Sequence, residues 1–232
     1  MKIAITDTVT SEDKFRLYTD WIDSSDKRPK WIKLSYLLNN MNEIQQCDGL
    51  LITGGGDVDP ALYGGMVDNP TIKGVDLLRD EFERTLLDSA IKKNMPILAI
   101  CRGMQLANVH FGGTLIGDIE EAGYLSHRSD TKVEKRHRVN LKTGSKLREI
   151  ISVEAGEVNL VHHQAVDQPA ADFEISAQSD DGIIEAMEYQ NKSQFLHLLQ
   201  WHPERMDRES IFSKNILKEF LTEAFYYSTS KK

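Results

Sequence analysis

The chain has 232 residues, of which 40% are hydrophobic and 28% are charged, a balance typical of a folded globular protein. Its formal net charge of −8 argues against a nucleic-acid partner, because such proteins usually present a concentrated basic face. The apolar start of the chain turns polar after about five positions, which is too short for a signal sequence or a membrane span. We therefore expect a cytoplasmic protein with no nucleic-acid or membrane partner.

The first half of the chain alternates strand-like and helix-like patterns. Four apolar runs read as strands, most of them lacking polar alternation, as expected of parallel strands buried on both faces. They are KIAIT, WIKLSY, DGLLITGGG and PILAI, which begin at residues 2, 31, 48 and 96. Residues 77–94 repeat apolar side chains at helical spacing, with acids early and lysines in the last turn. This order predicts a doubly wound α/β sheet.

The pattern changes after Gly113. Residues 120–137 are polar and aperiodic, which predicts a loop or flap. Short, partly antiparallel strands are predicted for HRVNLK, EVNLVHH, FEISAQS, IIEAMEY and FLHLLQWH. The chain closes with an amphipathic helix. We expect a single domain over residues 1–226 and a loose tail over 227–232.

Cys101 stands where the apolar run ILAI meets the helical segment that begins RGMQ. Small residues at 99 and 103 flank it, as in a nucleophile elbow, a tight strand-to-helix turn that exposes its side chain at the carboxyl edge of a sheet. The N-terminus of the following helix would favour thiolate over thiol. A small buried residue at a strand end is the alternative, and this stretch alone does not decide between the two.

A reactive thiol needs a base, because a thiol with a pKa of about 8.5 is only a few per cent ionised at neutral pH. His202 follows an apolar strand and precedes Glu204 by two residues, in WHPE. A carboxylate at that spacing can hold the imidazole while its other nitrogen faces the thiol. Cys101, His202 and Glu204 are therefore candidates for nucleophile, base and orienting acid, although WHPE by itself fits a capped strand end equally well.

Three consecutive glycines, Gly54, Gly55 and Gly56, end another buried strand and can turn backbone amides into the same crevice. With the amide of Arg102 beside the thiol, they would supply the two donors that stabilise a tetrahedral oxyanion, each worth about 3 kcal/mol. A phosphate site is less well supported, because neither G-x-G-x-x-G nor a P-loop lysine is present. Zinc-site spacing is absent as well, so no metal and no cofactor are expected.

Several motifs, taken in order, resemble the class I glutamine amidotransferase fold and, more closely, its γ-glutamyl-γ-aminobutyrate hydrolase family. They are LLITGGGDVDPALYGG, RDEFE, PILAICRGMQLANVHFGGTLIGDI, EVNLVHHQAVD, DGIIEAME and LQWHPE, between residues 48 and 204. The resemblance implies a flavodoxin-like α/β fold, a central and mostly parallel sheet flanked by helices with a small antiparallel extension. It also implies a triad of Cys101, His202 and Glu204 and an oxyanion hole from the amides of Gly55 and Arg102.

The same resemblance places Gln105, one helical turn after the thiol, where the fold contacts the α-amino and α-carboxylate end of a glutamyl group. Gly54 and Gly56 are expected to line the substrate site. At most one of His162 and His163 would face it, since neighbouring strand residues point to opposite sides, and a structural role for both stays open.

The expected reaction is hydrolysis of the γ-glutamyl amide bond of a small γ-glutamyl compound through a glutamyl thioester on Cys101. One alternative is a glutaminase subunit that passes ammonia to a synthetase partner. Another is a non-catalytic sensor of γ-glutamyl compounds. The expected partner is a small γ-glutamyl amide, a homodimer is left open, and a synthetase partner belongs only to the glutaminase alternative.

Overall fold

The structure, a computed structural model, describes residues 1–128 and 135–230. These residues form one mixed sheet with helices on both faces. The strands are β1 (Lys2–Thr6), β2 (Lys30–Leu34), β3 (Gly49–Ile52), β4 (Ile97–Ile100), β5 (Leu115–Ile116), β6 (Lys135–Leu141), β7 (Ala155–Leu160), β8 (Ala165–Val166), β9 (Phe173–Ser179), β10 (Ile184–Tyr189) and β11 (Leu196–Leu199). The helices are α1 (Glu12–Asp23), α2 (Leu77–Lys92), α3 (Arg102–His110), α4 (Lys146–Ile151) and α5 (Ile211–Ser230).

The sheet confirms the predicted fold class. Its main path runs β2-β1-β3-β4-β11-β10-β9-β6-β7, and β5 pairs with β8, which pairs with β10. Neighbours from β2 to β11 are parallel, whereas β10, β9, β6 and β7 pair antiparallel. The parallel half is the predicted central sheet, and the antiparallel half is the predicted extension, although it is larger than expected.

Two apolar layers cover the sheet, one on each face. Ile3 and Ile5 of β1 pack with α1 and α5 on one face, whereas Ala4 packs in the layer of α2 and α3 on the other. The strands β3, β4 and β11 are buried at every position, because helices cover both of their faces. Their apolar runs without alternation follow from this double burial.

The carboxyl ends of β3, β4 and β11 lie side by side, because these strands are adjacent and parallel. The chain leaves β3 into Gly54, leaves β4 at Cys101 and leaves β11 toward His202. The topology therefore gathers the three segments singled out by the sequence at one edge of the sheet, where open α/β sheets place their sites.

Some local predictions are wrong. The helix α1 lies in a segment where the sequence analysis predicts none, although Ser11 caps its first turn by accepting from the amide of Asp13. The strand predicted from Trp31 to Tyr36 ends at Leu34, because the next residues form a 3-10 turn. In the final helix, residues 227–230 remain helical rather than forming a loose tail, with Tyr227 packed against the core.

The polar segment predicted over 120–137 is only partly described. Residues 120–128 contain no helix or strand, as expected, and β6 begins at Lys135, while residues 129–134 and 231–232 lie outside the described residues. Across the described ranges, none of the helices combines the length and apolar character needed to cross a bilayer.

The close approach of α3 to β3 gives a test of the packing. A Cβ on Gly103 would lie 2.7 Å from the carbonyl oxygen of Ile52. We expect Gly103→Ala to lower the free energy of unfolding by about 1–3 kcal/mol, because backbone must move to admit the methyl group. Urea denaturation measures this. Gly117→Ala is the control, since the nearest atom to its Cβ is 3.6 Å away, and an equal loss in both variants would contradict the packing argument.

Candidate active site

Cys101 occupies a strained turn between β4 and α3. Its backbone has φ 53° and ψ −109°, a positive φ that residues other than glycine rarely adopt. Its amide donates to the carbonyl of Leu199 at 2.6 Å, which fixes the turn to β11. Strain of this kind costs about 1–3 kcal/mol and persists where surrounding structure enforces it. The predicted nucleophile elbow is thus present as a backbone geometry, and Cys101 is 7% exposed.

His202 is held from both sides. Its Nδ1 lies 2.6 Å from Glu204 Oε1, because Pro203 begins a 3-10 turn that brings the carboxylate back onto the ring. Asn159 fixes the backbone, accepting from the amide of His202 at 2.8 Å and donating to its carbonyl at 2.9 Å. His202 and Glu204 are both buried. The sequence analysis predicted the His202 and Glu204 pairing but not the clamp by Asn159.

Gly54 lies where Cys101 and His202 meet. A Cβ on Gly54 would be 2.9 Å from His202 Cε1 and 3.6 Å from Cys101 Cβ, so a side chain there would intrude between the two. Gln200 approaches the thiol from β11's end, with its Nε2 3.6 Å from Cys101 Sγ. The structure therefore brings together the three predicted catalytic residues and adds Gln200, for which the only sequence signal is its place in LQWHPE.

The electrostatics favour an imidazolium at His202. Burial lowers its pKa, but the negative charges of Glu204 and Cys101 outweigh burial and raise the pKa of His202 to about 9. Burial raises the pKa of Glu204, but the facing imidazole brings it below its usual value. At neutral pH the site therefore contains a buried carboxylate paired with a cationic ring.

Hydrogen bonds from α2 hold the glycine turn in place. The guanidinium of Arg79 donates to the carbonyls of Thr53 and Gly54 at 3.3 and 3.0 Å. A Cβ on Gly55 would lie 2.0 Å from Arg79 Nη1, and one on Gly56 would lie 2.2 Å from the carbonyl oxygen of Gly74. A side chain at 56 would therefore require the backbone to move, whereas a side chain at 55 would displace the guanidinium of Arg79.

The amides of the turn are not equivalent. Gly54 N–H donates to the hydroxyl of Tyr18 in α1 at 2.9 Å, so this amide is already committed inside the protein. Gly55 is exposed, whereas Gly56 is half-buried. Arg102 is the first residue of α3, and first-turn amides have no partner within their helix. The amides of Gly55 and Arg102 are therefore better placed than that of Gly54 to receive an anion.

A buried ionic network joins the glycine turn to the elbow. Glu83 accepts from Arg79 Nε at 3.0 Å and from the guanidinium of Arg102, which also pairs with Asp80. All four side chains are less than 5% exposed. Asp80 also accepts from the amide of Asp59 at 3.1 Å. Sequence patterning could not reveal this burial, since a charged first half of a helix is ordinarily solvated.

Gln105 is buried among protein partners. Its Nε2 donates to the carbonyl of Gln164 at 3.0 Å and to Oε1 of Gln200 at 3.1 Å. Both hydrogens of the amide are therefore used, and only Oε1 of this side chain is left for a substrate. Its predicted contact with a glutamyl group stays a prediction, while its contact with Gln200 makes it a support of the side chain next to Cys101.

His162 and His163 belong to two separate clusters. Because β7 ends at Leu160, strand alternation does not apply to them. His163 lies between Asp57, at 3.0 Å, and Asp118, at 3.3 Å. Hydrogen bonding to Asp57 raises the pKa of His163, although burial opposes the change. His162 is buried, and its Nε2 is 3.4 Å from Glu185. Their predicted role in substrate binding stays a prediction.

The pairing of His202 with Glu204 can be tested by titration. We expect Glu204→Gln to lower the pKa of His202 from about 9, because the largest interaction that opposes burial is then lost. NMR titration of the ring protons measures the shift. Glu209→Gln, on an exposed carboxylate, is the control and should leave the titration unchanged. An unchanged pKa in Glu204→Gln would show that the pair does not govern His202.

The ionic network predicts a second effect. Glu83→Gln removes the charge shared by Arg79 and Arg102, so we expect it to cost about 3–5 kcal/mol of unfolding free energy, as breaking buried ion pairs does. Glu81→Gln, on the exposed side of α2, should change stability little. Urea unfolding of both variants checks this, and a loss below about 1 kcal/mol for Glu83→Gln would contradict a structural role.

Comparison with known proteins finds a matching family and several relatives. The chain matches the Peptidase C26 family over residues 16–204. It is 41% identical over 157 residues to a provisionally named glutamine amidotransferase of Mycobacterium tuberculosis, covering 67% of this chain and 50% of the relative. It is 30% identical over 197 residues to the gamma-glutamyl-gamma-aminobutyrate hydrolase PuuD of Escherichia coli K12, covering 81% of this chain and 76% of the relative.

The fold also matches solved structures. A glutamine amidotransferase from Thermotoga maritima superimposes with a TM-score of 0.61 at 16% identity, covering 97% of this chain and 96% of that one. The present chain spans about half the length of the mycobacterial relative. The family match covers most of the chain and includes the elbow, the glycine turn and the WHPE segment. The chain therefore belongs to the Peptidase C26 family of class I glutamine amidotransferase-like proteins.

Proposed function

We propose that this chain is a cysteine-dependent hydrolase that cleaves the γ-glutamyl amide bond of a small γ-glutamyl compound. The observation that carries the proposal is the meeting of Cys101, on its strained turn, with an imidazole that Glu204 holds at 2.6 Å. An acyl-transfer site of this kind consists of a thiol, an imidazole beside it with a raised pKa, and a buried carboxylate that holds the imidazole.

The first half of the reaction forms a thioester. The thiolate of Cys101 attacks the γ-carbonyl carbon, and the negative charge that develops on oxygen is received by the amides of Gly55 and Arg102. The imidazolium of His202 gives its Nε2 proton to the leaving nitrogen as the C–N bond breaks. A free amine leaves, and the glutamyl group stays bound to sulfur.

The second half hydrolyses the thioester. Neutral His202 takes a proton from a water molecule as its oxygen attacks the thioester carbon, and the same amides receive the second oxyanion. Collapse of this intermediate breaks the C–S bond and releases glutamate, which restores the thiolate and the imidazolium. The raised pKa of His202 supports this cycle, because it lets the ring remain charged beside the sulfur at neutral pH.

The names of the relatives support two versions of the chemistry. The Escherichia coli relative is named as a hydrolase of a γ-glutamyl amide, which favours the proposal. The mycobacterial relative is provisionally named a glutamine amidotransferase, which favours a glutaminase that supplies ammonia to a synthetase partner. Both versions use the same thioester and differ in the amine that is released. A glutaminase would release ammonia from glutamine and would be activated by its partner, whereas a hydrolase acts alone.

The proposal predicts a cysteine-dependent release of glutamate. Incubated with a panel of γ-glutamyl amides, the purified chain should release glutamate and the free amine, and Cys101→Ala should lower the rate by at least about a thousandfold, because the thioester cannot form. Mass spectrometry of the trapped enzyme should find a glutamyl adduct on Cys101.

Cys47→Ala is the matched control, since Cys47 is buried in an apolar layer after the 3-10 turn that precedes β3 and is far along the chain from the elbow. It should retain activity and labelling by a glutamine-analogue electrophile. Glutamate release that persists in Cys101→Ala, or no release from any γ-glutamyl amide or glutamine, would overturn the proposal. Binding of γ-glutamyl compounds without turnover would identify the chain as a sensor.

A further inference from the structure

A second cluster of titratable side chains lies around Glu185 of β10, apart from the Cys101 site. Glu185 Oε1 is 3.4 Å from His127 Nδ1, 3.3 Å from His137 Nε2 and 3.4 Å from His162 Nε2. His127 Nδ1 and His162 Nε2 are 3.1 Å apart. The carboxylate is fully buried, and the side chains of His127 and His162 are 3% and 2% exposed. Four possible ligand atoms thus converge on one small buried space.

The position of the ring protons follows from the hydrogen bonds on the far side of two imidazoles. We call the ring nitrogens that face Glu185 the inner nitrogens and the others the outer nitrogens. His127 Nε2 is 3.2 Å from Asp181 Oδ2, and His162 Nδ1 is 2.9 Å from the carbonyl of Gln164. Both of these oxygens only accept hydrogen bonds, so each outer nitrogen must carry the proton. In neutral rings, His127 Nδ1 and His162 Nε2 then present lone pairs toward each other and toward the carboxylate of Glu185.

Three of the polar atoms in the cluster also lack a hydrogen bond within the described part of the chain. Among the described residues, His137 Nε2 and both carboxylate oxygens of Glu185 are buried without a hydrogen-bond partner. Glu185 is fully buried, and its Oε1 faces ring nitrogens of His127, His137 and His162. Buried lone pairs and a charge that face one another are costly unless a cation lies between them.

We propose that His127, His137 and Glu185 bind a divalent transition-metal ion, with Zn²⁺ the best fit, and that His162 Nε2 stands beside it as a fourth donor. The three ligand atoms lie within 4.8 Å of one another. The donors of a tetrahedral zinc ion are about 3.3–3.4 Å apart, since its bonds to nitrogen and oxygen are about 2.0–2.1 Å long. The separations from Glu185 Oε1 match this spacing.

The hydrogen-bond partners of the rings resemble those of metal-binding histidines. A metal-binding histidine usually donates its other N–H to a carboxylate or a carbonyl, and His127 and His162 face one of each. Asp181 is itself held, because its carboxylate accepts from Ser179 Oγ at 2.5 Å and from the amide of Leu125 at 3.3 Å. Imidazole and carboxylate together suit zinc better than magnesium or calcium.

The proposed ligands lie in separate segments of the sequence, which is why the sequence analysis predicted no metal site. His127 lies in the polar segment 120–128, His137 lies in β6, and Glu185 lies in β10, so no short spacing motif contains them. An ion here would fasten the polar segment to the antiparallel half of the sheet. The carbonyl of Glu185 also accepts from the amide of Gln200, whose side chain approaches Cys101, so the ion would support one wall of the Cys101 site without touching a reacting atom.

Zinc binding should be measured in tag-free protein that carries Cys101→Ala, so that the reactive thiol cannot supply a second site. After equilibrium dialysis against Zn²⁺, elemental analysis should find about one ion per chain. Glu185→Gln and His127→Asn should each weaken binding at least about tenfold. His110→Asn is the matched control, because His110, at the end of α3, pairs with Asp88 of α2 outside the cluster, and this variant should bind like the parent.

Cobalt gives a readout that a purely structural role would not produce. Co²⁺ bound by the cluster should show visible absorption, which should disappear in Glu185→Gln and persist in His110→Asn. Circular dichroism checks that each variant is folded. If Glu185→Gln unfolds, Asp181→Asn replaces it, because this variant leaves the proposed ligands in place. Asp181→Asn should also weaken metal binding about tenfold.

Less than about a tenth of an ion per chain in the parent, or equal binding in the parent and Glu185→Gln, would overturn the proposal. A folded parent that binds no metal, with a cluster histidine titrating by NMR, would mean that protons occupy the space instead. Because all of these measurements are made without the thiol of Cys101, their outcome is independent of the proposed hydrolysis.

Discussion

The geometry around Cys101 depends on one buried carboxylate, that of Glu83 in α2. It joins Arg79, which holds the carbonyls of the glycine turn, to Arg102, which begins the helix after the elbow. Burying these charges is costly, and the cost is offset only because each charge has a partner at hydrogen-bonding distance. The two turns whose amides would receive an oxyanion are therefore fixed to one helix. Any movement of α2 would change the distance between them.

The sheet supplies the other constraint. Strands β3, β4 and β11 are adjacent, parallel and buried on both faces, so their carboxyl ends cannot separate without opening the core. Gly54, Cys101 and His202 follow these ends directly and meet in a space too small for a side chain at position 54. These adjacent strands thus position the thiol and the imidazole.

Two buried glutamates, Glu204 and Glu185, differ in the number and spacing of the imidazole nitrogens that face them. Glu204 faces one imidazole at 2.6 Å, a separation that a single shared proton fills. Glu185 faces three imidazole nitrogens at 3.3–3.4 Å, a wider space that suits a metal ion better than one proton. Both carboxyl groups remain ionised despite burial, because their neighbours lower their pKa values. The number and spacing of the facing nitrogens, rather than burial, distinguish the two environments.

The sequence by itself determined what depends on local pattern: the buried strands, the helix α2, the elbow at Cys101 and the pairing of His202 with Glu204 two residues later. Only the tertiary structure decided that Tyr18 takes the amide of Gly54 and that Gln200 lies beside the thiol. It alone also gathered His127, His137 and Glu185. These contacts join residues distant along the chain, and their partners are chosen by how the layers pack, which neither periodicity nor short spacing encodes.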